Sequence, residues 1–415
     1  MKLSYSLTLL LAGVAPFACA ADVAVPSAAA PTPAELSIQK AQAQIAKQPD
    51  HVPFHNQLAM AYARRARETS DVQYYEKAEN ELKLSFQLAP DDFEARKVQT
   101  WLLLGRHEFA KAREAALALN KQKPDDVTVY GYLADANAEL GNYDQAVEAV
   151  QWMLNLRPGN VAGLTRAAYL RELHGDIAGA AELMQMAYDS TPYQQSEDRA
   201  WLLTQLSHLQ LLAGDLPEAE RFAQAALSLF PKYHYALAAL AQVRIVQQRF
   251  DDAAALLEQR YAAAPHAENL FALAQAETLA GRVSQADSHF KEFERQSLRE
   301  SAIGDNSNHE LMAYYTDFAH QSNKALEIAQ RELIRRRDVH TLDGYAWALA
   351  GTGAYKQAEL EMQKAMAWGV QDPVILYHAA MIAQALHHDS QTRQLLSSAA
   401  SRGSVDAARQ LAQLN

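Results

Sequence analysis

Between residues 127 and 160 the apolar positions recur at helical spacing, stop, and then recur again. Tyr130, Leu133, Ala134 and Asn137 share one helical face, and Leu140-Gly141 ends the run. Glycine there accepts the positive φ that closes a helix C-terminus. After Asn142 and Tyr143, a second run of Ala146, Val147, Val150, Met153 and Leu154 predicts a second helix. Pro158 with Gly159-Asn160 stops it, because proline cannot continue the i→i−4 ladder.

The same two-helix unit returns along most of the chain. Pro90, Pro124, Pro158 and Pro192 fall 34 residues apart, and Ala78, Ala112, Ala146 and Ala180 stand twelve residues before them. After a slip of five residues, Ala219 precedes Pro231 and Ala253 precedes Pro265 at the same interval. Ala286 and Ala325 continue the series with weaker surroundings, Ala358 returns to good form, and in a tenth unit Thr392 takes the alanine's place. A fixed period of this length with two helices per unit predicts an all-α solenoid of stacked antiparallel hairpins. The alanine has a physical reason, since paired helices approach closely only where a side chain is small. The turn also recurs: Gly141-Asn142-Tyr143, Gly175-Asp176-Ile177, Gly214-Asp215-Leu216, Gly281-Arg282-Val283 and Gly353-Ala354-Tyr355 each join a helix stop to an apolar staple.

Period, small residue, turn and proline together resemble the tetratricopeptide repeat (TPR) family, and the resemblance covers nearly the whole chain after about residue 35. It implies about nine to ten units wound into a right-handed superhelix, with the first helix of each unit lining a concave groove. It also implies binding of peptides or protein partners rather than chemistry.

In chain order, residues 1–20 read as a secretory signal: Lys2, an apolar run from Leu7 to Phe17, and an Ala18-Cys19-Ala20 cleavage site. The reading predicts cleavage after Ala20 and a periplasmic protein; a lipid anchor through Cys19 is the lesser alternative, because Pro16-Phe17-Ala18 lacks the upstream leucine of such signals. Residues 21–33 form an Ala/Pro-rich spacer, and Ala34 to Gln48 a lone capping helix. The repeat array extends over 34–296. The first unit is seven residues too long, which predicts about one extra turn in each of its helices, and its Arg64-Arg65-Ala66-Arg67 cluster reads as a solvated helix end or, alternatively, a partner contact. The slip at Tyr193 to Glu197 reads as a polar loop between units. A polar linker at 297–308 divides the array from C-terminal units over 309–415, which end in a polar cap at 404–414.

Composition narrows the function. The formal charge of −11 argues against nucleic acid, and the single cysteine, Cys19, leaves the processed chain without a disulfide. No phosphate loop, G-x-S-x-G, H-E-x-x-H or C-x-x-C motif is present, and no cofactor or metal is expected. His387-His388-Asp389 is the one histidine cluster, read as a solvated turn rather than a metal site. The acid pairs Asp91-Asp92, Asp125-Asp126 and Asp251-Asp252 stand at helix starts, where they cap. The chain is therefore read as non-enzymatic.

If the register holds, the residue eleven before each repeat alanine faces the groove: Trp101, Asp135, Tyr169, His208, Gln242, Gln275, Tyr314 and Trp347. One turn earlier, fifteen before the alanine, stand Lys97, Phe271, Glu310 and Asp343 among smaller residues, and Trp201 and Tyr235 lie a further turn up. Aromatic residues on an open face point to binding, with packing against neighbouring helices the competing account, most evenly balanced for Trp101 and Trp347. Glu310, Asp317 and Asp343 predict a groove that turns acidic toward the C-terminus. The reading is a periplasmic scaffold that holds a protein or peptide in its groove. The alternatives are a component of an envelope polysaccharide export or assembly machine, and an accessory subunit positioning a separate enzyme.

Overall fold

The computed structural model describes residues 31–69, 71, 73–302 and 306–414. The expected signal, Cys19, most of the Ala/Pro-rich spacer and Gly304-Asp305 of the expected linker lie outside the described residues. From Pro33 onward the chain forms one compact unit, and residues 1–32 fall outside it.

The described residues carry 22 α-helices and one π-helical turn, with no strand among them. A lone helix α1 (Pro33–Ile45) opens the stack. Hairpins follow as α2 (Val52–Thr69) with α3 (Gln73–Leu88), α4 (Phe93–Gly105) with α5 (Phe109–Gln122), and α6 (Val127–Glu139) with α7 (Tyr143–Leu156). Next come α8 (Val161–Leu173) with α9 (Ile177–Ser190), α10 (Ser196–Ala213) with α11 (Leu216–Leu229), and α12 (His234–Val246) with α13 (Phe250–Ala263). The last are α14 (Ala267–Leu279) with α15 (Val283–Glu300), α16 (Asn308–Ala313) with α17 (Ser322–Arg335), α18 (Val339–Gly351) with α19 (Tyr355–Met366), and α20 (Pro373–Ala385) with α21 (Asp389–Ser401). A final helix, α22 (Val405–Gln413), covers the end. Each helix packs chiefly on those before and after it, so the units stack as a right-handed superhelical solenoid.

The nine repeat alanines all sit at the hairpin crossings, and none is more than 2% exposed. Thr392 is equally buried, its hydroxyl donating to the His388 carbonyl, so the tenth unit keeps its packing with a slightly larger residue. Helix starts are capped as expected at Asp92, which accepts from the Ala95 amide, and at Asp126, which accepts from those of Thr128 and Val129. Asp251 and Asp252 lie instead in the first turn of α13.

Three boundaries differ from the sequence reading. The slip at 193–197 is an added helical turn rather than a loop: α10 has 18 residues where α6, α8 and α12 have 13. In the first unit the surplus is split unevenly, since α2 has 18 residues and α3 has 16, against 13 and 14 in the regular unit of α6 and α7. The linker at 297–308 is shorter than expected, because α15 continues through Ser297, which is fully buried, to Glu300.

The two lengthened first helices meet each other. Arg67, in the extra turn of α2, pairs with Glu197 and with Asp198 at 2.8 Å, both in the extra turn of α10. His234 Nε2 lies 3.1 Å from the Arg67 carbonyl and Tyr233 donates its hydroxyl to Glu197, so the contact is shared by three units. A second seam joins later turns of the superhelix. The Arg337 amide donates to the Glu139 carbonyl at 2.9 Å, Arg336 pairs with the Glu139 carboxylate at 2.6 Å, and the Val339 amide donates to Tyr143 Oη at 2.9 Å. Gly141 (φ 73°) does two things there: it closes α6, and its missing Cβ leaves room for the Arg337 carbonyl, which a Cβ would approach to 2.7 Å. Gly175 admits the Gly369 carbonyl in the same manner, beside Trp368, whose ring meets those of Tyr143 and His174 edge-on.

Replacing Ala146 with leucine should overpack the α6–α7 crossing and lower stability by about 1–3 kcal/mol. Ala255→Leu, at an exposed site on α13, serves as the control and should stay within about 0.5 kcal/mol. Equal shifts in urea midpoint for the two variants would remove the alanine from its structural role.

Candidate functional site

The first helices of the middle units enclose a cavity of about 790 Å³. Its floor comes from α6, α8 and α10 through Asp135, Thr165, Tyr169, Trp201 and Gln205, and its rim carries Arg64, Arg67, His107 and Arg336. Three residues of the expected groove set, Asp135, Tyr169 and Trp201, are thus brought together on one wall, with the two aromatic rings partly exposed.

The charges around this cavity are largely spent on one another. Arg166 clamps Asp135 through two bonds, Nε to Oδ1 at 2.7 Å and Nη2 to Oδ2 at 2.5 Å, a fork geometry that fixes both side chains. Glu172 holds His208 Nε2 at 2.8 Å, Glu139 takes Arg336, and Asp198 takes Arg67. Burial pushes the Tyr169 hydroxyl well above its ordinary value, so the ring presents a neutral phenol at any physiological pH. Arg64 is the exception among these groups: it makes no ion pair among the described residues. It also lines a neighbouring cavity of about 490 Å³ between α1, α2 and α4. The Arg64-Arg65-Ala66-Arg67 cluster is therefore neither a solvated end nor wholly a partner contact. Arg65 pairs with Glu35 at 2.6 Å and Glu68 at 2.7 Å, Arg67 closes the superhelix, and Arg64 alone is left over.

The remaining expected residues separate by register. Fifteen residues before the alanine, the side chain enters the seam between neighbouring first helices at several units, while Thr165 lines the cavity. Lys97 pairs with Asp126 of the next unit at 2.8 Å, and Asp343 accepts from His378 Nδ1 of the next unit at 2.9 Å. Gly131 occupies the same position, where a Cβ would lie 3.3 Å from Met153 and 3.4 Å from Arg166. Phe271 is 5% exposed and packs among Phe290, Phe293 and Phe318, so it belongs to the core and not to the groove. Eleven before the alanine the outcome is mixed. Asp135, Tyr169 and His208 are partly exposed, Gln242 is open and Gln275 half-buried. Tyr314 is corrected to the core: α16 breaks after six residues into a π turn (Tyr314–Phe318), which displaces the ring from the groove face and stacks it on Phe290 at 5.4 Å. Trp101 is half-buried against the cores of the first units. Trp347 lies flat on His378 at 4.2 Å and donates Nε1–H to Asp317 at 2.7 Å. Tyr235 is half-buried beside the His234 ring at 3.9 Å.

The acidic end of the groove is weaker than its composition indicates. His378 occupies Asp343 and Trp347 occupies Asp317, while burial, with Glu268 nearby, pushes Glu310 up to about 7. No group of three or more His, Cys, Asp or Glu among the described residues could hold a metal ion; His388 lies 3.2 Å from Glu359. No helix among the described residues is long and apolar enough to cross a membrane.

No protein-family model matches this chain, and no curated protein is similar to it at a significant level. Solved structures are similar in fold. A human IFIT1 dimer with PPP-AAAA is 13% identical, covers 88% of this chain and 94% of its own, and gives a TM-score of 0.50. A human IFIT1 dimer with m7Gppp-AAAA is 12% identical, covers 88% and 85%, and gives 0.51. PilW, a widely conserved type IV pilus biogenesis factor, is 14% identical and covers 49% of this chain and 92% of its own, with a TM-score of 0.40. The two IFIT1 likenesses are of a TPR-like helical repeat fold.

Two histidines on the first helices link neighbouring units and carry a pH signature. Burial would lower His208 and His378, yet the hydrogen bond and charge of Glu172 on the first, and of Asp343 on the second, hold both above their ordinary value. A histidine raised in this way contributes its full stability below the unfolded value of about 6.5 and loses it as pH rises through the folded value. His234 and His309, pulled down to about 4 and about 3 by burial, act in the opposite sense but are common to the proteins compared. The double variant His208→Gln, His378→Gln should therefore lose more Tm against the parent at pH 6 than at pH 8. The same loss at both values would show that neither pair is charged in the fold.

Proposed function

We propose that this chain is a non-enzymatic docking scaffold of the bacterial envelope that holds an extended segment of a protein partner in its middle cavity. One observation carries the reading: two partly exposed aromatic rings, Tyr169 and Trp201, share a wall with hydrogen-bonding side chains in a preformed hollow of about 790 Å³. That volume falls within the ~300–1,000 Å³ of ordinary ligand sites. Rigid aromatic surfaces give contact area with little rotor entropy to lose, and a superhelix tied at two seams costs little to reorder on binding. The carboxylates Asp135, Glu139, Glu172 and Asp198 are each held by a cation or a histidine, which supports binding over acid–base chemistry. The PPP-AAAA of the IFIT1 complex is not carried over, since this chain has a formal charge of −11 and, of the four arginines that line its cavity, Arg67, Arg166 and Arg336 are already paired with carboxylates. Placement in the periplasm rests on the signal-like residues 1–20.

A photo-crosslinking residue at Gln205, in the cavity, should capture a protein partner in cells, whereas the same residue at Gln259 on an outer helix should not. Tyr169→Ala with Trp201→Ala should abolish the Gln205 adduct while leaving the far-ultraviolet circular dichroism unchanged. Adducts formed only from Gln259 would overturn the reading, and a purely glycan adduct at Gln205 would favour an envelope polysaccharide ligand stacked on the same rings.

A further inference from the structure

The second helix of each unit builds the outer face, and in four consecutive units one outer position is apolar. Six residues after the repeat alanine stand Leu84, Ala118, Trp152 and Met186, each 34 residues from the next. All four are exposed; the three large ones are 43%, 46% and 50% accessible. The same position holds the half-buried Ala225 in the next unit and Gln259, Glu292, Arg331 and Lys364 beyond it, so the exposed ridge is confined to α3, α5, α7 and α9. Leu117, Val147 and Leu156, also exposed, widen it at the centre. With helix layers about 8–10 Å apart it runs roughly 30 Å, longer than scattered surface apolar residues account for. Trp152 is fixed rather than loose, because its ring stacks on Tyr130 at 5.9 Å with 16° between planes.

Charge along the ridge is divided by helix. The sequences of α7 and α9 contain Asp144, Glu148, Glu182 and Asp189 and no lysine or arginine, whereas α5 contains Lys111, Arg113 and Lys121 against a single Glu114. Arg113, Asp144 and Glu148 have no ion partner among the described residues. Counted from the repeat alanine, Ala118 and Trp152 stand at one height, and Arg113 stands between Asp144 and Glu148. One operation satisfies all of this at once. A two-fold axis parallel to the second helices and between α5 and α7 lays α5 of each copy on α7 of the other. Each Trp152 then covers the small Ala118 and Leu117 of the opposite chain, and each Arg113 faces Asp144 and Glu148, with every contact made twice. Curvature of the outer face confines the contact to these two helices and leaves Leu84 and Met186 at its rim.

We propose that the apolar ridge centred on Trp152 is a self-association surface, joining two copies of this chain back to back through α5 and α7. The two concave cavities then point away from each other, so the pair offers two docking sites to its partners.

Sedimentation equilibrium of the full chain should give twice the 45.9 kDa chain mass, with a concentration-dependent dimer. Trp152→Asp should weaken the dimer at least about 10-fold, as loss of a central aromatic anchor does. Arg113→Glu should weaken it as well, and Arg113→Glu combined with Glu148→Arg should restore it, a rescue that a general loss of folding does not produce. A monomer at every concentration overturns the proposal and assigns the ridge to a different protein. Flotation with lipid vesicles without a dimer overturns it in favour of a membrane surface, and a dimer indifferent to Trp152→Asp overturns it by placing the contact elsewhere.

Discussion

Helices in this protein approach one another as closely as a methyl group allows, and the architecture follows from that limit. Nine of the ten hairpins cross at a buried alanine and the tenth at Thr392, and each unit stacks on the hairpin before it. Because interiors are packed like organic solids, a crossing of this kind has little capacity to absorb a larger side chain. Repeating the crossing with one period repeats the rotation between units, and a constant rotation generates a superhelix. One hydrophobic cluster joins α4–α8 to α18–α20 and fixes how those two stretches of the superhelix meet. Local packing sets the curvature, and the seams are then held by their own contacts: the α2–α10 contact and the meeting of the Gly141 and Gly175 turns with residues 336–339 and 368–371.

Those seams explain why two departures from the period occur where they do. The added turns of α2 and α10 pack through Ala66 and Ala200 and also reach beyond their own units. They supply Arg67 and Glu197, which lie 130 residues apart and meet across the superhelix. Glu197 is buried, so Arg67 and the Tyr233 hydroxyl are needed to offset the cost of removing its charge from water. Such a pair contributes more to specifying one winding of the rod than to net stability, because a half-formed seam would strand a buried carboxylate.

The helical repeat, the alanine crossings and the regular helix stops were legible because each is a local matter: helical periodicity, a small residue, a glycine or proline. The same reasoning placed the lone helix near Ala34–Gln48 and the cap near 404–414, where α1 and α22 lie. What could not be read is non-local. Nothing near Arg67 in the sequence points to Glu197, and nothing near Gly141 announces that a later strand of backbone passes over it. The register of the groove was half legible. Position eleven before the alanine reaches the hollow at Asp135 and Tyr169, but position fifteen reaches it only at Thr165, whereas Lys97, Phe271 and Asp343 are absorbed against neighbouring elements. A stack of units curved more tightly than helical spacing alone implies turns that row inward to the seam. Gly131 was the available signal, since a glycine inside a helix marks a close approach.

The distribution of charge on the concave face bears on how a partner would be chosen. Sequence counts the acids and cations of a surface; structure decides which remain to be answered. Around the middle cavity Arg166 answers Asp135, His208 answers Glu172 and Arg336 answers Glu139, so these groups act as fixed dipoles that orient hydrogen bonds. An incoming segment that broke one of those pairs would have to leave a desolvated charge behind, which counts against strongly charged ligands of either sign. Arg64, which lines both cavities and makes no ion pair among the described residues, could accept an acidic group without that penalty. Selectivity in the hollow then comes from ring contact at Tyr169 and Trp201 and from a single charge at its edge. This differs from the acidic groove that a tally of Glu310, Asp317 and Asp343 describes, because the fold has already neutralised most of that acidity.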